Sequence, residues 1–528
     1  MQSRFNAALL FLPFLFATSL IAQSSSLVFR TALTGANVVG TVGSAGGFGS
    51  ATLTLDGDQA TLDLTTVGLT NITGVSLYKA AAGANGPLVQ AFTDINFFVV
   101  NGRFHHTVTL DSAVATAIAA NPQSYYLVVT TAANPAGALR GQLVGANTTY
   151  LAGTISAADP ICIGGGVPNA AGSFVFALTP DPGGQTVTVR YDIVTRGLGG
   201  TLSALQIGGV RTGPGLFVIG GNVTSADGRF SGTSSISAEH ARLMQTLPVG
   251  TRFTVTTPAT ALECAAAGAI LFAQEVFIPV AGTVRGTGNT NYMTDVNILN
   301  NSSAGTTADI LTQYFPTGGS TAVAAATSWS TLTPRATGTY RDISTAAFNG
   351  ITGIGALRIV SADSVFANAR IYNNLSATGG GTFGQFVPAL PRSLALTEGT
   401  LLGLTNIVSG SSVVTGAANA RTNIGFFNPS ETATTMLLEL RDGSGALLGQ
   451  RQLTLMPWMQ LQLPLSGSNG LFNAVVGDLG TSSVYFLSGA PAFVYASVID
   501  NPTGDASYVT PSVSASGTTT GTTGGAGL

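Results

Sequence analysis

Apolar and polar residues alternate with a period of two along much of the chain. Ala51, Leu53 and Leu55 are separated by Thr52 and Thr54, and after Asp56-Gly57-Asp58 the alternation resumes with Ala60, Leu62 and Leu64 against Thr61, Asp63 and Thr65. Side chains two apart share one face of a strand, so these runs predict half-buried strands joined by a Gly/Asp hairpin turn. One run has helical spacing instead. Ala113, Val114, Ala117 and Ile118 follow Asp111, whose carboxylate can cap the free N–H groups of a short helix over Ser112–Ala120. Ser124–Leu143 then supplies a strand from Tyr125 to Thr131, a turn on Asn134-Pro135-Ala136-Gly137, and a second strand start closed by Arg140-Gly141-Gln142.

The order of these elements recurs. Gly102-Arg103-Phe104 returns as Gly228-Arg229-Phe230, at an offset of about 126 residues, and the capped helix returns as Ser237 followed by Ala238–Leu247. Phe253–Thr257 takes the place of the Tyr126–Thr131 strand, and Gly268-Ala269-Ile270-Leu271 echoes Gly137-Ala138-Leu139-Arg140. A second duplication begins near Phe277. Thr294–Ser302 aligns with Thr422–Ser430, Pro334–Ile343 with Pro457–Leu465, and Ala369–Asn374 with Ala496–Asn501. Short strands with Gly, Pro and Asn between them, including a hairpin on Asp442-Gly443-Ser444-Gly445, predict β-sandwiches over 277–389 and 401–511. Residues 512–528 are rich in Gly, Thr and Ser and are expected to be a disordered tail.

Composition sharpens this picture. A chain of 528 residues exceeds what one core serves. Only 8% of residues are charged, yet 45% are apolar, which argues for packed domains rather than disorder. The net charge of −3 and the single lysine, Lys79, leave no broad basic surface, so no nucleic-acid partner is expected. The start of the chain reads as a signal peptide over residues 1–22: Arg4, an apolar Ala7–Leu20, and small-residue cleavage near Ala22. After its removal no segment is long and apolar enough to span a bilayer. The protein is therefore expected to be exported, to the extracellular space, the cell surface or the periplasm. Cys162 and Cys264 are the only cysteines, and in an oxidising compartment such a pair predicts a disulfide, contributing roughly 4–5 kcal/mol by loop closure.

Several motifs in order carry a family resemblance over 27–145. They are Leu33-Thr34-Gly35-Ala36-Asn37, Leu53-Thr54-Leu55-Asp56-Gly57-Asp58, Gly68-Leu69-Thr70, Gly83-Ala84-Asn85-Gly86-Pro87, Thr131-Ala132-Ala133-Asn134-Pro135 and Arg140-Gly141-Gln142. This block resembles a chordin-type (CHRD) domain, and the block over 149–272 resembles a degenerate copy of it. The modules over 277–389 and 401–511 resemble the Ig-like repeats of secreted bacterial surface proteins. The resemblance implies an all-β extracellular module whose biochemical activity is poorly defined. It also implies a His-x-His pair and a further His where this chain has Ser76, Tyr78 and Thr130.

Candidate chemistry is sparse. The histidines are His105, His106 and His240. Adjacent residues of a strand point to opposite faces, so His105 and His106 do not jointly hold a metal. Asp56-Gly57-Asp58 lacks the further oxygen ligands of a calcium site. Gly164-Gly165-Gly166 and Gly286-Thr287-Gly288 lack the lysine of a phosphate loop, and no Gly-x-Ser-x-Gly elbow exists. No catalytic, cofactor or metal residue is therefore assigned. The expected fold is all-β, with four tandem β-sandwich or Greek-key-like modules in a row after the signal peptide. The expected function is non-enzymatic: an extracellular or cell-surface structural or adhesion-type protein, with an extracellular protein or glycan as partner. The alternatives are a carbohydrate-binding or carbohydrate-degrading protein, and a metal-dependent activity in the CHRD modules.

Overall fold

The computed structural model describes residues 26–513 apart from 93–101, 146–147, 163–165, 182–184, 199, 210–216, 222, 226, 247–250, 261–263, 287–289, 303–304, 306, 320–323, 376–380, 408–418 and 476. The leader read over residues 1–22, the Gly164-Gly165 pair, Thr287-Gly288 and the chain beyond Val513 lie outside the described residues. The protein is all-β, built from several antiparallel sheets.

The first unit contains β1 (Leu27–Thr34), β2 (Phe48–Asp56), β3 (Gln59–Val67), β4 (Ile72–Lys79), β5 (Leu88–Ala91), β6 (Arg103–Thr109), β7 (Tyr125–Thr131), β8 (Leu139–Gln142) and β9 (Val144–Gly145). They lie in the order β5-β4-β7-β8-β1-β2-β3-β6, with β9 also on β1. Inward residues from distant strands meet in one buried cluster, among them Leu62 and Leu64 of β3, Val75 and Leu77 of β4, and Leu127 and Val129 of β7. The sheet therefore curls round a single core. The β2–β3 hairpin closes as expected: Asp56 pairs with Gln59, and Gly57 supplies the positive φ (62°) that a tight turn requires. Helix α1 (Ser112–Ala120) is capped by the Asp111 carboxylate, which accepts from the Ala113 N–H, and it buries Ala115 and Ile118.

The second unit repeats this strand order. Its strands run Phe217–Gly220, Ala204–Gly209, Thr251–Thr256, Ala266–Ala269, Thr149–Ser156, Ala171–Pro180, Thr186–Arg196 and Arg229–Ser237. The recurring Gly-Arg-Phe marks one structural position: Gly102 accepts from the Thr66 N–H and Gly228 from the Thr195 N–H, each at 2.7 Å. A Cβ on either glycine would strike the threonine carbonyl, so the repeat preserves a backbone approach. Helix α2 (Ala238–Thr246) starts where the Ser237 hydroxyl accepts from the His240 N–H.

One alignment made from sequence shifts. Thr34 pairs with Arg140 and Ser156 with Ala267, so Gly268 is the counterpart of Gly141, not of Gly137. Both glycines press on the first strand of their unit, where a side chain has no room. Ala267 consequently stands where the first unit has Arg140. Cys162 and Cys264 form the expected disulfide, which ties the connection after strand Thr149–Ser156 to the turn before Ala266–Ala269.

The third and fourth units share another topology. In the third, Gly353–Ser361 lies between Gln274–Arg285 and Ala308–Pro316, while Val365–Asn374 lies between Asn291–Asn300 and Thr382–Pro388. In the fourth, one continuous strand, Leu479–Asp500, does the work of both. Its first half pairs with Leu396–Asn406 and Thr434–Asp442, and its second with Ala420–Phe427 and Ala506–Val509. Ser512, expected in a disordered tail, is still paired: its backbone exchanges hydrogen bonds with Thr400.

The units fold back on one another. Phe48 of the first unit is buried with Leu437 and Leu487 of the fourth, and the Ser50 hydroxyl donates to the Ser488 carbonyl at 2.6 Å. Ala152 and Val175 of the second pack on Leu311 and Val360 of the third. The tightest approach is at Gly489, where a Cβ would lie 2.6 Å from the Ala32 Cβ. Gly489→Val is therefore expected to push the first unit off the fourth. Small-angle scattering should record a larger radius of gyration, with a loss of about 1–3 kcal/mol of stability. An unchanged radius would show that the contact does not hold the units together.

Candidate functional site

The closing motif of the first unit is consumed in a structural lock. Arg140 is 3% exposed, and its guanidinium donates to the Asn85 side chain at 3.0 Å and to the Ala84 carbonyl at 2.7 Å. It also stacks on the Tyr126 ring, 3.6 Å from the centroid, and Tyr126 in turn stacks on Tyr78. Gln142 donates to the carbonyls of Ala80 (2.6 Å) and Gln123 (2.7 Å), and Asn134 to that of Val42 (3.2 Å). The Arg-Gly-Gln and Gly-Ala-Asn-Gly-Pro motifs are thus two halves of one clasp: a planar five-donor group pinning a loop that lies outside the sheet. In the second unit the segments corresponding to those of Val42 and Asn134 are joined by Cys162–Cys264.

Ser76, Tyr78 and Thr130 converge on one outer face of β4 and β7, since Ser76 pairs with Val128, Tyr78 with Tyr126 and Gly74 with Thr130. Ser76 lies diagonal to Thr130, whereas Tyr78 is about 13 Å from Thr130 along the strands, and this chain places hydroxyls at all three. Thr130 spends its hydroxyl on the Gly74 carbonyl and accepts from Thr73. His105 is exposed on β6, and its Nδ1 lies 2.6 Å from Asp63, its cross-strand partner. His106 faces the other way and stacks on Phe104. His240 lies in the first turn of α2. Asp56 and Asp58 flank the hairpin turn. Among the described residues no group of three or more His, Cys, Asp or Glu side chains can hold a metal ion.

The most concentrated chemistry is one that the sequence reading missed. Where the second, third and fourth units meet, Arg190 forms a bidentate pair with Glu431 (3.0 and 2.7 Å) and donates to Asp192 at 2.7 Å. Asp192 accepts from Gln313 (3.1 Å), Gln313 accepts from Arg358 (3.2 Å), and Arg358 donates to Glu275 at 2.8 Å. Arg392 joins Glu275 to the Pro429 carbonyl. Four guanidiniums, with Arg229 at 4.0 Å from Asp192, meet three carboxylates in this cluster, which is roofed by rings: Arg358 lies 4.7 Å from the Tyr150 centroid and 4.8 Å from that of Trp458. Burial alone would raise the Glu275 pKa, but Arg358 and Arg392 outweigh it and hold the carboxyl below its usual value. Burial pushes the Tyr150 phenol far up, so its hydroxyl stays neutral. Arg392 and Glu431 reach the rim of a cleft toward the first unit, but each is held in an ion pair, and the cluster is built for cohesion.

Among the described residues three free surfaces stand out. A cavity of about 300 Å³ lies between the third and fourth units, edged by Tyr292, Gln385, Arg421 and Gln462. A larger cleft of about 750 Å³ separates the first unit from the fourth. The outer face of the third unit exposes Phe366 (57%) and Phe386 (61%). Phe386 pairs across from Arg370, which places the two rings about 13 Å apart along the strands. Beside them Asn297 donates to Asn368 at 3.1 Å and accepts from Thr339 at 2.9 Å.

Comparison with known families gives one finding. Residues 29–143 match the model of the CHRD domain, and so span β1 to β8 and the complete Arg140 clasp. No curated protein matches the chain.

Two outcomes test these assignments. Arg140→Ala leaves buried carbonyls unpaired and is expected to cost about 3 kcal/mol in urea unfolding, with Arg140→Lys recovering only part of it. Glu275→Gln breaks a buried pair and is expected to cost about 3–5 kcal/mol at neutral pH. Because the folded carboxyl titrates below its unfolded value of 4.5, its stabilisation is present above that pH and is lost as pH falls through the folded value. The gap between wild type and Glu275→Gln should therefore close below pH 4.5; a constant gap would contradict the assignment.

Proposed function

We propose, taking residues 29–143 as a CHRD domain, that this chain is a non-enzymatic extracellular or cell-surface protein of structural or adhesion type. One observation carries the reading. The motif residues that define the domain spend their polar groups on one another, so the domain presents a rigid scaffold rather than a reactive site. The second unit is proposed as a degenerate copy, on its matching strand order. The third and fourth are proposed as Ig-like repeats, on their shared sandwich topology. The disulfide, and the lack of any helix among the described residues long and apolar enough to cross a membrane, are compatible with export.

A second reading, carbohydrate binding, is favoured by the third unit's outer face. Exposed phenyl rings can stack on the C–H face of a pyranose while the Asn297–Asn368 amides bond its hydroxyls. Arrays of glycans and extracellular matrix proteins probed with the full-length mature protein test both readings. Specific retention without release of product is expected. A retained glycan that Phe386→Ala weakens at least tenfold selects the second reading, and conversion of any probe to released product overturns the non-enzymatic one.

A further inference from the structure

We infer that the cleft between the first and fourth units is a binding site for a small acidic saccharide, whose single negative charge is received by Arg30. The cleft holds about 750 Å³, enough for a short oligosaccharide, and it opens between β1 and β9 on one side and the segments 429–435 and 489–491 on the other. Phe29 and Leu33 turn into the core of the first unit, so Arg30, between them on β1, projects from the opposite face toward the fourth. Three charged side chains line the cleft. Arg392 is paired with Glu275, and Glu431 with Arg190. Arg30 alone has no counter-ion and no hydrogen-bond acceptor among the described residues, although it is partly buried and desolvation lowers its pKa. A guanidinium removed from water without an anion is unfavourable, and an arriving oxyanion offsets that cost with a forked pair of hydrogen bonds.

Further observations narrow the ligand. Arg392, the other cation of the lining, is committed to Glu275 and the Pro429 carbonyl, which leaves Arg30 as the uncompensated charge. Around it hydroxyls and amides, including Thr432, Asn37 and Gln142, are interspersed with small apolar residues such as Ala32, Val144 and Ala433, and none of the lining residues is aromatic. One uncompensated cation suits a monoanion rather than a phosphate dianion. A free amino acid would bring an ammonium that finds no free carboxylate, because Glu431 is held by Arg190 at 2.7 Å. A sugar with one carboxylate, or one sulfate ester, supplies the anion and hydroxyls with no cation to satisfy.

The test is calorimetric titration of the full-length mature protein with a trisaccharide carrying one uronate, its neutral methyl ester, and a trisaccharide carrying one sulfate ester. Binding of an acidic trisaccharide is expected, weakened at least tenfold by esterification and by Arg30→Gln. Preference between the carboxylate and sulfate probes then identifies the anion. The melting temperature of Arg30→Gln should match wild type, because the side chain has no partner to lose. Phe386→Ala should bind the acids as wild type does, which separates this site from the sheet face of the third unit. Equal binding of the ester, binding unchanged in Arg30→Gln, no binding of either acid, or a marked fall in the melting temperature of Arg30→Gln would each overturn the proposal.

Discussion

The arrangement of the molecule depends on a cluster of buried, mutually paired charges. Glu431, Arg190, Asp192, Gln313, Arg358, Glu275 and Arg392 form one continuous run of hydrogen bonds and ion pairs through the second, third and fourth units. In a chain with so few charges, placing these in a dry junction is costly unless every partner is present. A purely apolar junction would tolerate sliding of one unit over another. Alternating cations and anions do not, because a displacement of a few ångströms brings like charges together. The aromatic roof of Trp458, Phe315, Phe277 and Tyr150 excludes water and strengthens each interaction beneath it.

Much of the architecture was legible from residue patterns, for a definite reason. The period-two runs of β2 and β3, the Asp111 cap and the Cys162–Cys264 pair all reflect local or covalent constraints, which leave direct traces in the sequence. The charged junction left none. In strand Thr186–Arg196 the alternation separates Val187, Val189 and Ile193 from Arg190 and Asp192, and so identifies an outer face. It does not say whether that face meets water or another unit, and here it meets Glu431 and Gln313. The cleft beside Arg30 was hidden for the same reason, since its two walls come from opposite ends of the chain. The offset of Gly268 shows a different limit. Turns of unequal length shift the register between copies, so matching letters need not be matching positions.

The first two units solve one problem by different chemistry. Each must hold the connection after its first strand against the turn before its penultimate strands, and neither segment belongs to the sheet. The CHRD domain uses the Asn134 amide, which donates to the Val42 carbonyl, a directional bond that needs no oxidant. The second unit uses a covalent bond whose formation depends on its surroundings.

Strand Leu479–Asp500 has a consequence of a mechanical kind. It runs unbroken through both sheets of the fourth unit, meets the first unit at Ser488 and Gly489, and hydrogen-bonds the third through Ser497 and Gln385. Covalent continuity makes it a tie rod: a pull on the first unit passes along one backbone to the third without crossing a loop. In the third unit the corresponding path breaks at the turn between Ser361 and Val365, where tension would be taken up by bending. Under load the fourth unit is therefore the stiff member of the assembly and the third the compliant one.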